Sequence, residues 1–443
     1  LKAAYGVPLA PEELAVFRTI AERDPPTRRV KELWLIIGAR GGKDSVASMI
    51  AAQHAAYADE GVILRPGERA LVACFATDRD QASIIYNYTR AYFEQVPSLR
   101  RRVISSLAGT TPRPIVLRNN TEIRVMTSSL RAPRGWPIAC AIFDECAFWR
   151  DDNSANPDKE VYIAVLRGSG PTTMIIGIST PYRQSGLLYD KWKDHYGKPN
   201  DDILVIKAPT TTFRPDFDQS IIARAMEEDP ERAAAEYGAE WRRDLADYVN
   251  RETAEAAVVR DRRVLEPMSG IEYAAFCDPS GGSIDSMTLA IGHADNGRGI
   301  LDCLLERRAP FSPGEVTAEF AASLRQYGIS IVRGDRYAGA WPPEQFAKLG
   351  VTYEAAEQSK SDIYRDFLPL LNTGIVDLLD HPRMINQLCS LERRTIRGGR
   401  DSIDHPPLGH DDLVNAAAGV LVDVAGDRQP AGSRWGMDGL VNR

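Results

Sequence analysis

Between Lys31 and about Pro209 the chain alternates short, wholly apolar runs with longer stretches of mixed polarity. Trp34 to Ile37, Ala70 to Phe75, Ile138 to Phe143, Met174 to Ile178 and Ile203 to Ile206 lack the polar alternation of a half-exposed strand. That pattern predicts strands buried on both faces. Val46 to Ala58, Asp80 to Gln95 and Gly186 to Tyr196 are predicted helices between them. The order is that of a parallel α/β sheet. An acid-rich helical stretch, Ser220 to Trp241, follows, and then a polar segment from Arg242 to Arg263.

Beyond that segment the pattern changes. Tyr273 to Cys277, Met287 to Gly292 and Ile300 to Glu306 read as consecutive strands, followed by a helix near Pro313 to Tyr327 and a strand at Ile329 to Arg333. Three antiparallel strands followed by alternating helix and strand is the order of a ribonuclease H-like fold. The expected organisation is a first domain over residues 1–245, a linker over 246–265 and a second domain over 266–443. At 443 residues and 44% hydrophobic, the chain can fill two such cores.

Its longest apolar runs, such as Leu33 to Ile37, fall far short of the roughly 18 residues that span a bilayer. No membrane association and no signal peptide are expected. The cysteines, Cys74, Cys140, Cys146, Cys277, Cys303 and Cys389, form no C-x-x-C pair and read as reduced thiols of a cytoplasmic protein. The histidines lack metal-ligand spacing, which argues against structural zinc. The formal charge of -7 hides a local excess of arginine between Arg100 and Arg134, where Glu122 is the only acid. Arg101, Arg102, Arg131 and Arg134 are the candidates there for contact with DNA phosphates.

The run Leu33 to Ile37 leads into Gly38-Ala39-Arg40-Gly41-Gly42-Lys43-Asp44-Ser45 and then an Ala-rich helix. Strand, glycine loop and helix are what a phosphate cradle needs. Glycines let backbone N–H groups converge on the β- and γ-phosphates of ATP, and the lysine supplies a mobile charge. Two positions depart from the G-x-x-x-x-G-K-[ST] pattern. Ile37 stands where the first Gly belongs, and Asp44 replaces the hydroxyl that ligates magnesium. Either Ser45 takes that role after a one-residue shift, or Asp44 holds the ion through water.

Downstream, Ile138 to Phe143 ends in Asp144-Glu145, a strand delivering two carboxylates to its C-terminal edge. Asp144 would hold hydrated magnesium and Glu145 would orient or deprotonate the attacking water. Met174 to Ile178 ends in Ser179-Thr180, placed to sense the γ-phosphate. In the second half, Asp278 and Asp335 close predicted strands, and Asp411-Asp412 open an apolar helix. Acids from such places can converge at a sheet edge around two divalent cations, Mg2+ or Mn2+, and hydrolyse a phosphodiester.

The ordered set GARGGKDS, ATDRDQA (Ala76 to Ala82), RAPRGW (Arg131 to Trp136), AIFDECAFW and ISTP resembles the ATPase half of the large subunits of tailed-phage terminases. The resemblance implies a P-loop NTPase domain of the RecA/ASCE kind before the nuclease. It implies a phosphate-contacting or switching role for Arg40, a catalytic role for Glu145 and a coupling role for Ser179 and Thr180. In the second half it maps metal ligation and catalysis onto Asp278, Asp335 and Asp412, with Asp411 adjacent. It further implies a motor that cuts concatemeric double-stranded DNA and threads it into a procapsid. A small terminase subunit and the capsid portal would be its partners, a homo-oligomeric ring its state on the portal, and the host cytoplasm its location. Two other readings stay open from the residues alone: a nucleotide-gated DNA-binding or assembly protein, and a helicase-like translocase whose second half is only a clamp.

Overall fold

A computed structural model describes residues 1–58, 61–77, 79–104, 114–127, 135–149, 157–283, 285–336, 341–395, 401–407 and 409–426. The chain divides into two compact units, Leu1–Ala246 and Asp247–Arg443.

The first unit is built on β1 (Glu32–Ile37), β2 (Ala70–Ala76), β3 (Ile115–Val116), β4 (Thr121–Thr127), β5 (Ile138–Asp144), β6 (Ser169–Ser179) and β7 (Ile203–Ala208). They form one sheet in the order β3-β4-β2-β5-β6-β1-β7. Pairing is parallel throughout except between β3 and β4. Every residue of β1, β2 and β5 is buried. Alternation along β1 shows why its residues 33–37 are all apolar. Leu33, Leu35 and Ile37 enter one core with Ile50 and Ala51, whereas Trp34 and Ile36 enter another with Phe75, Phe143 and Trp149. One strand, β6, separates β1 from β5. This is the strand order of an ASCE-type P-loop domain, and it brings the C-terminal ends of β1, β6 and β5 side by side. Gly177 permits it, because a Cβ there would lie 2.1 Å from Trp34 Cε3 on β1.

The pattern of apolar runs missed β4, which reads Thr-Glu-Ile-Arg-Val-Met-Thr. Its Glu122 is buried and paired with Arg69 at 3.3 Å and with Arg124. The Ser220 to Trp241 stretch holds two helices, Gln219–Glu228 and Pro230–Gly238. Asp229 between them accepts from Arg232 N at 3.2 Å and caps the second.

A short strand, β8 (Leu245–Asp247), runs across the boundary. The second unit continues with β9 (Val258–Val259), β10 (Tyr273–Asp278), β11 (Met287–Asp295), β12 (Arg298–Arg307), β13 (Ile331–Gly334), β14 (Thr352–Ala355) and β15 (Val376–Leu379), and a hairpin of β16 (Glu392–Thr395) and β17 (Asp401–Asp404). Its main sheet runs β14-β13-β10-β11-β12-β15-β9. Only β11 is antiparallel to its neighbours. The span β12-β11-β10-β13-β14 is the ribonuclease H-like arrangement. One face is covered by the helix Asp412–Gly426, whose Ala416, Val420 and Leu421 meet Phe276 and Ala290. The other packs on Val316, Phe320 and Leu324 of the helix Pro313–Gln326.

The segment expected as a linker, 246–265, contributes to the second unit's core. Tyr248, Val249, Ala254, Ala257 and Val258 are buried there, Tyr248 donates to Tyr364 O at 2.6 Å, and β9 extends the sheet beside β15. Its polarity belongs to exposed positions around a few inward apolar ones, so composition alone pointed to a loop.

Candidate active sites

In the first unit β1 stops at Ile37, and residues 38–42 turn into the helix Lys43–Ala56. Two residues of the turn are left-handed, Arg40 at φ 59° and Gly42 at φ 82°. The Ala39 peptide is held from both sides. Its N–H donates to Glu236 O at 2.6 Å, and Thr210 Oγ1 donates to its carbonyl at 2.8 Å. Gly38 must lack a side chain, since a Cβ would sit 2.5 Å from Thr210 Oγ1. The loop therefore presents its backbone at a helix N-terminus, where anions are favoured.

Lys43 is buried, and its Nζ lies 2.8 Å from Glu145 Oε1. Burial alone would lower its pKa. Glu145, Asp44 and Asp144 reverse that and raise it. Glu145 leaves β5 at φ 47°. Its Oε2 accepts from Ser179 Oγ at 2.8 Å and Thr180 N at 3.3 Å. The end of β6 thus holds the glutamate that sequence assigns to the attacking water. Asp144 is pushed up to about 8, by burial first and then by Glu145 and Asp44.

Asp44 is half-buried and its carboxyl is likewise raised, by burial and by Glu145, with Lys43 opposing. Ser45 is exposed, as expected of the next helical residue, turned roughly 100° around the axis. Of the two candidates for the magnesium ligand, Asp44 is half-buried and acts on Asp144 through its charge, while Ser45 is exposed. Two carboxyls pushed up by burial and by neighbouring acids beside a phosphate loop suit a divalent cation, which relieves their mutual repulsion.

The second unit gathers Asp278, Asp335 and Asp412 at one sheet edge. Asp278 ends β10, and Asp335 follows β13, whose Gly334 is registered against Cys277. Asp412 opens the long helix, anchored by Thr288 Oγ1 donating to its carbonyl at 2.7 Å. Gln387 Oε1 accepts from the next residue, Leu413 N, at 3.0 Å. Asp278 is pushed well above the carboxylate range, by burial and then by Asp412, with smaller contributions from Asp411 and Asp335. An Asn415 Nδ2 donor 3.0 Å from its Oδ2 opposes the shift. Asp412 rises to about 6 through burial and Asp411, with His410 opposing. Asp412 Oδ2 is buried and has no hydrogen-bond partner among the described residues. An orphaned carboxylate oxygen among mutually repelling acids fits divalent cations, which the structure's own donors cannot replace.

Asp411 departs from its expected share in that site. Its Oδ2 accepts from Tyr364 Oη at 2.7 Å and lies 3.1 Å from Lys360 Nζ. Asp404, His405 and Asp411 come within ligating reach of one another, but the Lys360 ammonium already sits 2.6 Å from Asp404 Oδ1 and fills the cation's place.

No family model and no curated protein matches the sequence. Solved structures do. The large terminase of bacteriophage HK97 is 16% identical, covering 94% of this chain and 95% of its own, at a TM-score of 0.39. A large terminase from a thermophilic bacteriophage is 12% identical, covering 94% and 99%, at 0.38. The large terminase nuclease of the thermophilic phage G20c is 17% identical over 40% of this chain and 98% of its own, at 0.36.

The arginine candidates divide. Arg131 and Arg134 lie outside the described residues. Arg101 is exposed. Arg102 differs from its expected role: its Nη1 donates to Ala56 O at 2.6 Å and its guanidinium covers the Tyr57 ring at 4.8 Å, closing the C-terminus of the phosphate-loop helix. Among the partners not singled out from sequence are Thr210, Lys360 and Asn415. Asn415 carried a readable signal as the polar residue three positions after Asp412 in a helix that stays free of other polar side chains until Asp423. Thr210 and Lys360 carried none, since each meets its partner only through the fold.

Proposed function

We propose that this chain is the large subunit of a tailed-phage terminase, an ATP-driven motor for double-stranded DNA joined to a metal-dependent nuclease. The observation that carries the reading is one chain holding both the Lys43–Glu145–Ser179 constellation on an ASCE-ordered sheet and Asp278, Asp335 and Asp412 on a ribonuclease H-like one.

In the first unit Lys43 and the loop N–H groups neutralise the β- and γ-phosphates of ATP. Glu145 takes the proton of the attacking water, and its grip by Ser179 and Thr180 ties the base to β6. Magnesium held by Asp144 and Asp44 would supply charge neutralisation at the transferred phosphoryl group. Glu145 is shared between Lys43 and the end of β6, so a γ-phosphate that draws Lys43 away changes the load on Ser179 and Thr180. That supports their coupling role.

In the second unit, two Mg2+ or Mn2+ ions on Asp278, Asp335 and Asp412 would activate water and steady the leaving oxygen of a DNA strand. Asn415 fixes the Asp278 carboxyl, while Thr288 and Gln387 fix the backbone that carries Asp412. Contacts with DNA are to phosphates, as packaging must accept any sequence. A small subunit, the portal, a ring of copies on the procapsid and the bacterial cytoplasm complete the proposal. Its test is purified chain with supercoiled plasmid and Mn2+, with and without ATP. Nicking in Mn2+ together with DNA-stimulated ATP turnover supports it; ATP turnover with no cleavage at all favours a translocase whose second unit is only a clamp.

A further inference from the structure

Asp412 and Asn415 stand three positions apart on the helix Asp412–Gly426, a spacing that puts both side chains on one helix face. Each is more than nine-tenths buried, Asp412 at 8% exposure and Asn415 at 1%. The Asn415 amide reaches the sheet edge, where its Nδ2 donates to Asp278 Oδ2 at 3.0 Å. Its other end is left over. Asn415 Oδ1 and Asp412 Oδ2 are both buried acceptors with no hydrogen-bond partner among the described residues. A buried acceptor without a donor costs free energy, and two of them on one helix face, beside the Asp278 carboxylate, call for a common cation.

We propose that Asn415 is a further ligand of the nuclease centre, its amide oxygen Oδ1 joining the oxygens that Asp278, Asp335 and Asp412 offer to divalent cations. The proposal rests on the nuclease reading of those three aspartates. Mg2+ and Mn2+ take carboxylate, carbonyl and water oxygens, and the asparagine carbonyl is one of these. An amide suits this place better than another carboxylate. It adds an oxygen without adding charge where acids already repel one another, and its NH2 group serves Asp278 at the same time. Asp278 also sets which way round the amide lies, since only the NH2 end can donate to a carboxylate. Both amide atoms are bonded to one carbon, so the contact with Asp278 holds Oδ1 beside the same carboxylate.

The test is Mn2+ binding by the nucleotide-free full chain, read as loss of the free ion's electron paramagnetic resonance signal, with no cleavage involved. Binding that disappears in Asp278→Ala belongs to this centre. Asn415→Ala is expected to weaken that binding by at least about tenfold, as it removes both the ligand oxygen and the hold on Asp278. Asn415→Asp separates the two. It keeps an oxygen for the metal and has no donor for Asp278, so it is expected to bind Mn2+ within about threefold of the parent, or more tightly. A smaller loss in Asn415→Ala overturns the proposal and makes a buried water the partner of both oxygens. A larger loss in Asn415→Asp overturns it too, and leaves Asn415 as a donor to Asp278 alone. The parent supplies a reading that needs no variant to fold. With isotopically labelled asparagine amide carbons, electron–nuclear double resonance of the bound Mn2+ should show the strong carbon coupling of a directly bound carbonyl, and its absence overturns the proposal. Equal Mn2+ binding by parent and Asp278→Ala overturns the metal-centre reading itself, whereas binding lost in Asp278→Ala and kept in Asn415→Ala overturns only the role of Asn415.

Discussion

Glu145 illustrates how much one side chain is asked to do. It faces Lys43 with one oxygen and the end of β6 with the other. Glu145→Gln keeps the shape and can still accept from Ser179, but cannot take a proton. ATP turnover should fall by about 10²-fold or more while nucleotide binding persists, as separate binding and phosphate-release assays would show. Equal loss of both would make Glu145 structural. Lys43→Ala should remove turnover and binding together. Asp412 offers a test through pH. Its folded pKa is raised from 3.8 to about 6. A raised carboxyl stabilises the fold fully below its unfolded pKa and loses that contribution as pH climbs through the folded value. In EDTA, Asp412→Asn should therefore unfold at higher temperature than the parent at pH 7, by on the order of 1–2 kcal/mol, with the gap closing as pH falls toward 4. A gap that widens on acidification would contradict the shift. The motif residues were legible because chemistry restricts them to a few types at fixed spacing. Asp44 against Ser45, and Asp411 against Asp412, were not, since the choice depends on helix phase and on partners such as Lys360 and Tyr364, about fifty residues from Asp411.

At the scale of elements, the buried parallel strands could be read because both of their faces meet apolar cores. β4 failed that test, since its Glu122 is buried against arginines and not exposed. Residues 246–265 failed it too, because a few inward side chains were outnumbered by polar ones. Strand order carried no sequence signal, yet it brings Ser179 to Glu145. That placement depends on Gly177, where β6 passes the Trp34 ring. Gly177→Ala would force a methyl into that ring and should destabilise the first unit by about 2–3 kcal/mol, measurable by denaturant unfolding. A change under about 0.5 kcal/mol would mean the sheet relaxes around the ring and the close approach is not required.

At the scale of the whole molecule, each unit has its own sheet, its own core and its own carboxylate centre. The two chemistries should therefore separate by mutation. Asp278→Ala, Asp335→Ala and Asp412→Ala should each abolish divalent-dependent DNA cleavage and leave ATP turnover near the parental rate, because the three carboxylates serve one pair of cations. Asp411→Asn is the control. Its neighbours Tyr364 and Lys360 hold it away from that task, so cleavage should persist. The most direct test of the account is conversion of supercoiled plasmid to nicked and linear forms in Mn2+ by the purified chain, parent beside Asp278→Ala. The account predicts conversion by the parent, none by the variant, and none by either in EDTA. Equal cleavage by parent and variant would contradict it.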